Sequence, residues 1–136
     1  MKHQQQTSNK GDNLTKEKSE KVLALEKEVA LGLWVQVVGQ LIEVKGLSGL
    51  LQIENDTSGA GEQQILTGVW IRTIGQIVEA ISVTNQINET DLIKLLQEQK
   101  IAITGDLLVA IGAAYETVGG LRVLEEETAK TTRIIP

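Results

Sequence analysis

Three glutamates recur at one place in this chain and carry most of its chemistry. Glu43, Glu79 and Glu116 each stand eleven residues after a glycine that opens a similar stretch: Gly32, Gly68 and Gly105. Carboxylates drawn from separate helices bind metal in carboxylate-bridged bundles, but those sites use Glu-x-x-His pairs. The only histidine is His3, in a polar leading segment, and there is no cysteine. No metal is therefore expected, and a disulfide, a thiolate ligand and a cysteine nucleophile are ruled out. What remains for the glutamates is polar contact with Gln40, Gln76 or Tyr115, or ion pairing with Arg72 or Lys45. A polar group on an apolar face fixes register and choice of partner at some cost in stability. Glu43, Glu79, Glu116 and Arg72 are read in that role.

Other chemistry is thin. No nucleophile and base can be paired, so no catalytic residue is expected. Gly59-Ala60-Gly61 is not followed by Lys-Ser/Thr at phosphate-loop spacing, and no cofactor is expected. A net charge of −5, with pI near 4.9, disfavours nucleic acid, which requires a basic face. Trp34 and Trp70 stand two residues after Gly32 and Gly68 and read as packing or interface anchors.

These residues are positioned by a stretch that occurs three times, near 32–46, 68–82 and 105–119. The copies begin 36 and then 37 residues apart. Each has small residues at steps of seven: Gly32, Gly39, Gly46; Gly68, Gly75, Ser82; Gly105, Gly112, Gly119. Seven residues are two helical turns and eleven about three, so the small residues form one narrow stripe and the glutamates are expected on that same stripe. Strict alternation fails while steps of three, four and seven hold, which predicts helices and not strands. Interior glycines cost about 0.8–1 kcal/mol each against alanine. Close approach of another helix is the usual compensation, so the stripes are read as packing or interface seams.

The chain has 136 residues, 41% of them hydrophobic, with no Phe, one Tyr and two Trp. That predicts one domain with an aliphatic core. Residues 1–14 read as a disordered tail, 15–127 as the helical repeat domain and 128–136 as a loose tail. A first helix is expected over about 15–45, a loop over 54–61 and a second helix over 62–87. Asn88-Glu89-Thr90-Asp91 offers N-caps. A third helical region spans about 92–127, as one helix or as two divided near Ile101–Gly105. The fold class is all-α: an up-down bundle of three glycine-seamed helical repeats, with a stacked solenoid as the alternative.

No apolar leader is evident in Met1–Thr7, and charged residues interrupt every apolar run short of the about 20 residues a membrane span needs. A cytoplasmic protein is expected, with peripheral membrane attachment as the alternative.

The phrase Gly32-x-Trp34-x-Gln36-x-x-Gly39, echoed by Gly68-x-Trp70-x-Arg72-x-x-Gly75, resembles the units of an uncharacterised family of short repetitive proteins from Bacillus-type bacteria. The third stretch departs from it, with Leu107 for Trp and Val109 for Gln, as a degenerate or capping unit would. The resemblance implies a Gram-positive source and no particular chemistry. The reading is a non-enzymatic structural or interaction protein that associates with itself through glycine-lined helix faces. The alternative is a helical protein that binds a membrane surface or a small apolar ligand.

Overall fold

A computed structural model describes residues 2–54 and 59–134, which form three helices and, among the described residues, no strand. α1 spans Lys2–Ile53, α2 Ala60–Gln86 and α3 Leu92–Ile134. This is an all-α bundle in which each helix runs antiparallel to the next. α2 lies in the middle and packs extensively on α3 and less extensively on α1.

Two local devices start the second and third helices. The Glu62 carboxylate accepts the Gly59 N–H at 2.8 Å, satisfying one of the orphan donors at the head of α2. Asp91 caps α3, its Oδ1 accepting the Ile93 N–H at 2.9 Å. Between them the chain turns at Asn88, whose φ of 65° lies in the left-handed region that asparagine tolerates.

The helices are longer than the sequence leads one to expect. α1 begins at Lys2, within the segment read as a disordered tail, and passes through Gly46 and Gly49 to Ile53. Once a helix is nucleated, each further residue adds one hydrogen bond, and Gln4–Gln6 and Lys10 of this segment extend it. α3 runs unbroken through Ile101–Gly105, because Gly105 is packed against the backbone of α2. It continues to Ile134, where a loose tail was expected. Half of the expected loop (55–58), Met1, Ile135 and Pro136 lie outside the described residues, as does the His3 side chain.

The core is small. Its buried hydrophobic residues are Ala30, Val37 and Val44 on α1, with Val69 and Ala80 on α2. Ala30, Val37 and Val44 are themselves seven apart, so α1 has two parallel stripes at that spacing. It lays the aliphatic one, not the glycine one, against α2. The accessible surface is 10189 Å², against about 7,000 Å² for a folded monomer of this mass.

Much of the excess is apolar. On α3 the face turned away from α2 carries Ile103, Leu107, Ile111, Val118 and Leu121, all exposed. By length and composition α3 contains an 18-residue stretch able to cross a membrane, of which 11% is buried. The sequence reading allowed no such span, because Asp106 and Glu116 interrupt the run; two charges in that length leave it apolar on average.

Candidate interaction surface

Where α2 meets α3, glycine faces glycine. A methyl group added at Gly68 would stand 2.7 Å from the Gly112 carbonyl oxygen and 2.6 Å from the Glu116 nitrogen. One added at Gly75 would stand 2.5 Å from the Gly105 oxygen, and one at Gly119 3.0 Å from the Gly61 oxygen. The obstacles are backbone atoms, which cannot swing aside. Gly61, which the sequence reading placed in a loop, thus joins the row. Ser82 closes it and is 1% exposed. Dispersion between two backbones brought this close offsets the helix propensity that the glycines forfeit.

The α1 glycines do something else. Among the described residues, Gly32, Gly39, Gly46 and Gly49 have no atom of another element within 4 Å of where a Cβ would sit. Gly32, Gly39 and Gly46 are exposed, and beside them Leu31, Val35, Val38 and Ile42 are between 56% and 66% exposed. The three stretches match in spacing, and two of them pair with each other while the third faces outward.

At the middle of the bundle Arg72 ties all three helices. Its Nη2 donates to Glu43 Oε2 at 2.8 Å, and its Nε donates to Gln40 Oε1 at 3.0 Å, both on α1. Its Nη1 stands 3.3 Å from Glu116 Oε2 on α3, an ion pair without hydrogen-bond geometry, which leaves that buried oxygen with no hydrogen bond among the described residues. Two of the recurrent glutamates therefore share one guanidinium. The third does not. Glu79 is held above the ordinary carboxylate value, first by burial and then by the Asp106 charge across the α2–α3 contact.

Trp34 and Trp70 are 39% and 45% exposed, so neither is a buried anchor. Trp34 Nε1 donates to Thr84 Oγ1 at 2.9 Å and so joins α1 to the far end of α2. A second polar bridge escaped the sequence reading. Gln64 is buried, accepts from Arg122 at 2.6 Å and donates to the Tyr115 carbonyl at 3.1 Å. Its signal was faint: Gln63 and Gln64 stand side by side, and only the second is turned inward. Gln76 is buried too, and its Nε2 finds no partner among the described residues.

Chemistry beyond contact is sparse here. Thr15, Thr67, Thr73, Thr84, Thr104 and Thr117 each donate their hydroxyl to the carbonyl four residues back in their own helix. Among the described residues no group of three His, Cys, Asp or Glu is placed to hold a metal ion. Compared with family models, curated proteins and solved structures, the chain gives no match.

Proposed function

We propose that this chain is a non-enzymatic structural or interaction protein that associates with itself through the outward face of α1. The single observation that carries the reading is the contrast between equivalent glycines. Those of α2 and α3 are closed against each other, and those of α1 meet nothing. A solvent-exposed helix gains nothing from three interior glycines, which cost it roughly 2–3 kcal/mol. Exposed Leu31, Val35, Val38 and Ile42 add apolar area to the same face.

Light scattering on the full chain over a range of concentration tests this. The expected mass is that of two or more chains, falling to one in Gly39→Leu. A parent that stays monomeric at every concentration ends the proposal.

A second reading is favoured by one specific feature, the apolar outer face of α3 from Ile103 to Leu121. On that reading the bundle lies on a membrane surface with α3 toward the lipid. Co-sedimentation with phosphatidylglycerol–phosphatidylcholine vesicles separates it from the first: binding lost in Leu107→Glu but retained in Gly39→Leu assigns lipid to α3.

A further inference from the structure

We infer that the occupant of the α1 face is α1 of a second copy, antiparallel to the first about a two-fold axis beside Gln36. Gly32 of each copy then packs against Gly39 of the other. This rests on the self-association reading and adds the identity and register of the contact.

The molecule is short of cover. Its surface exceeds that of a monomer of its mass by about 3,000 Å², and a standard interface takes about 800 Å² from each partner. The α1 face contributes to that uncovered area, with Val35 at 62% and Ile42 at 66% exposure.

The α2–α3 contact supplies the pattern. There the first glycine of one stretch meets the second glycine of the other: Gly68 with Gly112, and Gly75 with Gly105. Applied to α1 and a copy of itself, the same rule sets Gly32 against Gly39 and, by symmetry, Gly39 against Gly32. The arrangement is isologous and closes at two chains.

The flanking residues agree with this register. In the α2–α3 pair, the residues four after Gly68 and Gly112 are Arg72 and Glu116, which form the 3.3 Å ion pair. In α1 they are Gln36 and Glu43. A Gln36 amide of one copy therefore meets a Glu43 carboxylate of the other, twice by symmetry. Arg72 engages Oε2 of Glu43, and Oε1 serves as the acceptor for the second copy. On the opposite flank the same offset brings Leu31 beside Ile42, and Val35 beside Val38, of the second copy. A register in which Gly39 meets Gly39 would set Glu43 against Glu43, like charge on like charge. A parallel pairing has no counterpart in the bundle.

Because the chain has no cysteine, single-cysteine variants of the full protein report the geometry directly. In Gln36→Cys the two sulfurs meet at the axis, with Cα atoms inside the about 4.4–6.8 Å that a disulfide needs. In Ile53→Cys they stand about 50 Å apart, at 1.5 Å rise per residue. Under mild oxidation most of Gln36→Cys should become a covalent dimer and less than about a tenth of Ile53→Cys, with parent light scattering giving two chains. Cross-linking of both variants to the same extent indicates parallel pairing and overturns the inference. A two-chain mass with no cross-link at Gln36→Cys overturns this register but leaves self-association standing. A one-chain mass, with the Gln36→Cys thiol shielded from maleimide only when phosphatidylglycerol–phosphatidylcholine vesicles are added, overturns both and gives the face to lipid.

Discussion

Gly39 and Gly75 hold the same place in their stretches and have opposite surroundings. Gly75 lies under the backbone of α3, where a methyl would stand 2.5 Å from a carbonyl oxygen; a methyl at Gly39 would meet nothing. α1 and α3 also pack on α2's two sides by different means. α3 comes in backbone to backbone, whereas α1 stands off on Ala30, Val37 and Val44. A glycine stripe permits a close crossing without dictating which stripe makes it. A helix that carries an aliphatic stripe as well has a choice, and α1 spends its aliphatic stripe inside the chain.

The sharpest way to break this comparison is to add one methyl at each place. Gly75→Ala should destabilise by about 2–3 kcal/mol, since the obstacle is backbone and the helices must part. Gly39→Ala, measured at dilutions where single chains prevail, should gain about 0.8–1 kcal/mol of helix propensity. Urea unfolding of the two variants decides it; equal effects of the same sign would mean the two surroundings are alike.

Arg72 joins the close contact to the loose one and is the next largest effect. Arg72→Met leaves Glu43 and Glu116 without their shared cation and should cost about 1–2 kcal/mol, at the lower end because both carboxylates are partly solvated. Glu43→Gln should be nearly silent by comparison. Thermal melts of the two variants side by side test the difference.

Gln76 sits buried, and among the described residues its amide nitrogen has no partner. Gln76→Met removes that desolvated donor while keeping the volume, so stability should rise by about 1 kcal/mol. A fall of that size in chemical denaturation would show that the amide has a partner.

The smallest effect is the pH dependence at Glu79. Its carboxyl is held above the ordinary 4.5, by burial first and Asp106 second. The folded chain therefore binds this proton more tightly than the unfolded chain does. At neutral pH the ionised group weakens the fold, and stability recovers as pH falls through the folded value toward 4.5. Glu79→Gln should melt slightly above the parent at pH 7, with the gap closing as pH approaches 4.5. A gap that stays constant over that interval excludes Glu79 as its source.

Much of the architecture was legible from period alone. Steps of three, four and seven identified helices against β-branched neighbours that favour strands. The polar cluster before Leu92 located a turn, and Asp91 proved to be its cap. Helix ends were less legible, since Lys2–Gly11 and Thr128–Ile134 are polar and local composition says little about a helix that simply continues. The pairing of Glu43 and Glu116 with Arg72 was foreseen as one of several partnerships, whereas the Gln64 bridge was not. A single glutamine has no periodicity to betray it.

By itself the sequence determined that three helices would each carry a small-residue stripe, because spacing along a helix is a local property of 3.6 residues per turn. It also determined that the hydrophobic part of the core would be aliphatic, that a polar group would stand at matching heights, and the absence of thiol chemistry. Only the tertiary structure decided which two stripes meet. Three near-identical stripes offer three near-identical pairings, and no local term separates them. The choice turned on what else each helix carries: Arg72 reaching both neighbours, and Ala30, Val37 and Val44 giving α1 a second way to pack that leaves its glycines facing outward.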